Sequence, residues 1–187
     1  LSSARLAYAI VVDRRAGPIG GASSGAVYAD ASGEWGWGAW TVQGSTLYWC
    51  GGQWSPRVRA ELHINEKELY ASTAGLMALA PATGMRSVHS FTDNTTAMGV
   101  MRSLRARNVR MQELTALRVA WMLEHGVSEA THRITSAANL WSDMISRGAL
   151  AEVVEQAAAM GLRAERVAPP PAMGSADFLL PLGVDTA

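Results

Sequence analysis

The stretch Ala29–Trp40 reads ADASGEWGWGAW: one aspartate, then three glycines and three tryptophans in close succession. Large and small residues alternate after Glu34, which is a strand pattern, and Ser32–Glu34 supplies a turn between it and the preceding AVYADAS (Ala26–Ser32). Two antiparallel strands joined there put Asp30 at the end of the first, beside the turn. Either the aspartate is a turn former at the start of an apolar hairpin, or the hairpin exists to hold it. The answer lies in what the rest of the chain brings to the same place.

Outward from the hairpin, STLYWCGGQWS (Ser45–Ser55) is a third β-favouring run, set off by Gln43–Ser45. The three runs read as an antiparallel meander. The period then changes. NEKELYASTAGLMALA (Asn65–Ala80) places Leu69, Leu76 and Leu79 at helical spacing. Asn65 and Glu68 stand in the relation of a capping box, and Pro81 is the expected stop. SVHSFTDN (Ser87–Asn94) reads as a buried strand, TTAMGVMRSL (Thr95–Leu104) as a short helix, and Met111–Glu124 as a longer one ending near Gly126. EATHRIT (Glu129–Thr135) is a strand, and Ala138–Gly161 is helical with a break near Gly148. Three strands followed by alternating helices and strands predict an α/β domain, a mixed sheet with helices on its faces.

Composition narrows the class. The chain has 187 residues, 49% hydrophobic and 17% charged, enough for one domain with a proper core. Sixteen basic residues balance sixteen acidic ones, so no global field favours nucleic acid. Cys50 is the only cysteine, which excludes an internal disulfide and a CxxC metal site. No apolar run reaches the roughly 20 residues of a membrane span. Leu6–Val12 is too short for one and lacks a cleavage site, so an intracellular, non-secreted protein with no membrane association is expected.

Four acids fall near element ends: Asp30 on the first strand, Glu68 early in the long helix, Asp93 after the fourth strand, and Asp143 early in the helix after the fifth. Each has an ordinary structural reading: a turn, a capping box, an N-cap, a dipole partner. Taken together they are four carboxylates that repel one another unless cations neutralise them. Hard oxygen ligands suit Mg²⁺ or Mn²⁺, and two such ions about 3.5–4 Å apart are a recurrent device for phosphodiester hydrolysis.

Five blocks carry a resemblance. ADASGEWGWGAW, the G-x-W-S of Gly52–Ser55, HINEKELYA (His63–Ala71), FTDNTTAMGVM (Phe91–Met101) and NLWSDMISRG (Asn139–Gly148) occur in this order. Together they resemble the ribonuclease H domain attached to reverse transcriptases, in the form carried by LTR and tyrosine-recombinase retrotransposons. The resemblance implies a ribonuclease H-like fold with a five-stranded mixed sheet, three antiparallel strands then two parallel, and helices on both faces. It implies a metal-dependent endonuclease cutting the RNA strand of an RNA–DNA hybrid with two Mg²⁺ or Mn²⁺ ions. Asp30 would bridge both ions, Glu68 and Asp93 would hold the one nearer the leaving group, and Asp143 the one that activates water. Asn94 and Asn139 would touch the minor groove or phosphates. Proofreading exonucleases of related fold usually show D-x-E in the first strand, where this chain has Asp30-Ala31-Ser32.

The same comparison divides the chain into an N-terminal extension (1–25), the ribonuclease H-like domain (26–148), a C-terminal helical extension (149–167) and a Pro-rich, apolar tail (168–187). The extension and the tail are the expected attachments to a reverse transcriptase domain or larger assembly. Arg102, Arg105, Arg107 and Arg110 form a basic cluster placed to track phosphates, although a solvated face accounts for it as well. The loop before the last acid, RITSAAN (Arg133–Asn139), lacks the histidine found there in many relatives. That departure, the neutral charge and the apolar tail keep an alternative open. In it the domain is domesticated and catalytically silent, a structural subunit of a larger assembly, RNA-containing or not.

Overall fold

Alternation in the first third of the chain builds the centre of the sheet. The computed structural model describes residues 23–180; all but the last three residues of the expected N-terminal extension (1–25) lie outside them. Strands β1 (Ser24–Ala31), β2 (Gly36–Gln43) and β3 (Thr46–Gln53) form the antiparallel meander. β4 (Ser87–Thr92) and β5 (Ser128–Arg133) extend it in parallel on the far side of β1. The order is β5-β4-β1-β2-β3 and then a sixth strand, β6 (Arg163–Arg166), parallel to β3.

The sixth strand corrects the expected five. It has four residues, RAER, with no apolar face, so periodicity cannot reveal it. The stretch read as a helical extension is helix α6 (Leu150–Ala159), a left-handed Gly161 (φ +75°) and then this strand. Arg166 caps the edge by lying over the Trp49 ring, 5.4 Å from its centroid.

Side chains on opposite sides of β1 and β2 feed two cores. Val27, Ala29, Trp37 and Ala39 face α2 (Ile64–Thr83), and the same core takes in Met101 of α3 (Thr95–Ser103) and Leu114 of α4 (Val109–His125). Tyr28 and Trp40 join Trp141 and Ile145 of α5 (Leu140–Ser146) and Val153 of α6. Tyr28 stacks on Trp40 at 4.3 Å and on Phe91 at 4.8 Å, while Trp141 meets Trp40 edge-on at 5.0 Å. Helices therefore cover both faces. Trp37 and Trp40 wedge the hairpin against them; Trp35 is 37% exposed and lies over Gly148. A buried pair, Arg118 of α4 with Glu129 of β5, ties a helix to the sheet edge.

Three local details differ from expectation. Pro81 does not end α2; it sits in the last turn, where a missing N–H removes a single helical bond, and Gly84 at φ +70° ends the helix. A short helix α1 (Pro56–Glu61) follows β3, started by Ser55 as N-cap and Pro56 in its first turn. The Pro-rich segment folds back on the domain through 3₁₀ turns at Pro171–Met173 and Ala176–Leu179. There Met173 and Leu179 are buried, and the Tyr70 hydroxyl donates to the Met173 carbonyl at 2.6 Å. Among the described residues no helix is long and apolar enough to cross a membrane.

Candidate metal centre

Asp30 lies one residue from the end of β1, opposite Gly38 of β2, and is 6% exposed. Gly38 has a reason to be glycine. A Cβ there would stand 2.5 Å from Cβ and Cγ2 of Ile145, so only a bare backbone lets α5 settle beside Asp30.

Glu68 is brought in by α2. The capping box that starts this helix is His63 with Glu66, two residues earlier than the sequence pairing of Asn65 and Glu68: the His63 N–H donates to Glu66 Oε2 at 2.6 Å. Glu68 is thereby released from capping. It accepts the Ala31 N–H, is 5% exposed, and its Oε2 has no hydrogen-bond partner among the described residues. Next to it Lys67 donates to the carbonyls of Gly33 (2.7 Å) and Arg59 (3.1 Å), pinning the β1–β2 turn to α1. Consecutive α2 residues thus grip the turn beside Asp30.

Asp93 follows β4. The N-cap of α3 is its neighbour Asn94, whose Oδ1 accepts the Ala97 N–H at 2.9 Å. Asp93 is free of that duty as well, and Ser136 donates to its Oδ2 at 2.5 Å. Oxygens of Asp30, Glu68 and Asp93 lie within 4.8 Å of one another.

Asp143, in the first turn of α5, stands apart from this trio. Its Oδ1 takes Arg147 Nε at 2.6 Å, one helical turn on. Its charge is still felt by the others, raising both Asp30 and Glu68.

The electrostatics follow from burial. Desolvation, then the charges of Asp30 and Asp93, push Glu68 up to about 9. Desolvation also raises Asp30, to about 6; the Ser146 hydroxyl opposes the rise, and Asp93 and Asp143 add to it. At neutral pH a proton on Glu68 takes the place of missing positive charge. A divalent cation fits the trio, because it satisfies the orphaned Glu68 oxygen and offsets the mutual repulsion that burial amplifies.

The residues expected to meet nucleic acid divide. Asn139 is 1% exposed and donates to the Ala29 carbonyl at 3.0 Å, so it is sealed inside. Asn94 caps α3 and donates to Asn65 Oδ1 at 3.0 Å. Arg102 holds the Thr131 carbonyl at 2.8 Å, covering the β5 edge, and Arg110 reaches Glu66 Oε1 at 3.7 Å. Arg105 and Arg107 are exposed. The serines at the acids, Ser136 and Ser146, and Arg147 escaped the sequence reading. The one signal was position: Ser146 and Arg147 lie three and four residues after Asp143, on its face of the helix.

The sequence matches no protein-family model and no curated protein. Solved structures share the fold, two of them ribonuclease H domains. One is RNase H1 from the halophilic archaeon Halobacterium salinarum NRC-1, at 16% identity and TM-score 0.53, covering 70% of this chain and 99% of that one. The other is the N-terminal RNase H domain of a Mycobacterium tuberculosis protein, solved as a fusion with maltose-binding protein. It is 17% identical with TM-score 0.54, and the match covers 66% of this chain and 95% of that one. The chain therefore has the ribonuclease H-like fold, with an acidic trio at its sheet rim, Asp30 and Glu68 buried and Asp93 half-buried.

Proposed function

We propose that the domain is a divalent-metal-dependent endonuclease that cuts the RNA strand of RNA–DNA hybrids, of the lineage attached to retroelement reverse transcriptases. The observation that carries this reading is Glu68. A buried carboxylate beside two more acids and relieved of helix capping spends one hydrogen bond on the Ala31 N–H and leaves its Oε2 with no structural task. A cation binder accounts for it directly.

Asp30, Glu68, Asp93 and Asp143 would hold two Mg²⁺ or Mn²⁺ ions. The ions supply an activated water and charge stabilisation for the leaving oxygen. The chain's own part is placement. β1 and α2 fix Asp30 and Glu68 rigidly, and the β4 end brings Asp93. α5 presents Asp143, which must exchange its Arg147 partner for a cation. Arg105 and Arg107 are exposed on the α3–α4 loop, where a hybrid's phosphates would lie along it. A reverse transcriptase or larger assembly remains the expected partner.

One observation favours the silent, structural alternative: Asp143 is paired to Arg147 and outside the trio. The readings separate on incubation of the purified chain with Mg²⁺ and an end-labelled RNA–DNA hybrid, beside Asp30→Asn. Cleavage of the RNA strand that the variant abolishes is expected. An intact hybrid, together with no Mn²⁺ bound by the chain, would sink the nuclease and leave the scaffold.

A further inference from the structure

We infer that Ser146 is a positioning residue of the acid site: its hydroxyl fixes both the orientation of the Asp30 carboxylate and the seat of the helix that carries Asp143. This rests on the metal-binding reading proposed above.

Ser146 is fully buried at the end of α5, and its Oγ donates to Asp30 Oδ2 at 2.6 Å. The same oxygen stands 2.9 Å from the Asp143 carbonyl one turn back. One hydroxyl has one proton, so the two acceptors compete. An ionised carboxylate at the shorter distance is the stronger acceptor and takes it. Asp30 Oδ2 is then committed, and its other oxygen is left for a cation.

The second consequence concerns α5 itself. Asn139 just before the helix donates to the Ala29 carbonyl, and Ser146 at its end reaches Asp30. Two staples on consecutive β1 residues fix both the rotation and the slide of α5 along the strand. Close packing of Ile145 on Gly38 leaves no slack between them. Asp143, three residues before Ser146, inherits its position from that seat.

A matched control lies on the same helix. Ser142 is also fully buried, and its hydroxyl donates to Asn139 Oδ1 at 2.9 Å. Ser142→Ala removes one buried hydroxyl from α5 and with it the support of the Asn139 staple, but leaves the Ser146–Asp30 hydrogen bond in place. Ser146→Cys keeps the side-chain shape with a somewhat larger atom and replaces a strong donor with a weak one, and Ser146→Ala removes the donor.

The test is Mn²⁺ titration of the full chain without nucleic acid, followed by electron paramagnetic resonance, with thermal unfolding in parallel. Removing a group that orients a metal-binding carboxylate costs about tenfold or more in affinity. Ser146→Cys and Ser146→Ala should both show that loss. Ser142→Ala, which loosens only the Asn139 staple, should lose clearly less Mn²⁺ affinity than either Ser146 variant, even where it melts lower. Equal Mn²⁺ affinity in all four proteins overturns the positioning role while leaving the metal site standing. So does an equal loss in the Ser142 and Ser146 variants, which would mark a general loosening of α5. An unmodified chain that binds no Mn²⁺ overturns the metal reading and this inference with it.

Discussion

Glu68 carries an electrostatic conflict whose sign can be worked through. Its ordinary value is 4.5 and the folded value about 9, so between them the native state binds more protons than the unfolded chain. Stability without metal therefore falls as pH rises through that window, and Asp30 adds the same sign between 3.8 and about 6. Chelator-treated protein should melt lower at about pH 8 than at about pH 5, which a thermal scan by circular dichroism reads directly. Glu68→Gln keeps the shape without the charge and should gain on the order of 2 kcal/mol at about pH 8. Added Mn²⁺ should raise the melting point of the native chain and barely move that of the variant. A variant less stable than the native metal-free protein at that pH would show that burial does not lift Glu68 out of the ordinary carboxylate range.

The elements show why some features were legible and others were not. The meander and α2 declared themselves because apolar positions recur at periods of two and 3.6. Asp30, Glu68 and Asp93 were readable as a group because each falls at the end of such an element. The capping box was misplaced by two residues because its N-cap is His63, which patterns built on Ser, Thr, Asp and Asn overlook. β6 was invisible for the opposite reason: an edge strand of four mostly charged residues carries no pattern, and its pairing to β3 is decided over more than a hundred residues of chain. Ser146 could not be singled out either, since its meaning depends on how α5 is seated. The seat can be tested. Gly38→Ala inserts a methyl into Ile145, and overpacking of this kind costs typically ~1–3 kcal/mol. Denaturant unfolding should show that loss, and a neutral result would mean that α5 can shift outward freely.

On the scale of the whole molecule, the domain is closed off by segments that follow the ribonuclease H-like core. β6 extends the sheet, and the 3₁₀ turns cover Tyr70, with Met173, Ala176 and Leu179 completing the core on the α2 side. Residues up to Leu180 thus act within this fold, where the sequence pointed outward to a partner. Deleting the segment after Val167 should uncover Tyr70 and Trp54 and leave Ser55 without its Asp177 partner. Burial of a few large apolar side chains is worth roughly 1.5–3 kcal/mol each. The truncated chain should therefore unfold at visibly lower denaturant while keeping its far-ultraviolet spectrum. Unchanged stability would show that the turns are an appendage.

The edge-on contact of Trp141 with Trp40 has a use beyond packing. Trp141 precedes Asp143 by two residues on a seven-residue helix, and its partner ring is fixed in the sheet. Two indoles held rigidly at 5.0 Å and 68° couple optically, and the coupling depends on their separation and angle. The pair is a built-in gauge of where α5 sits. Near-ultraviolet circular dichroism can follow it as metal or nucleic acid arrives, with no label added to the protein.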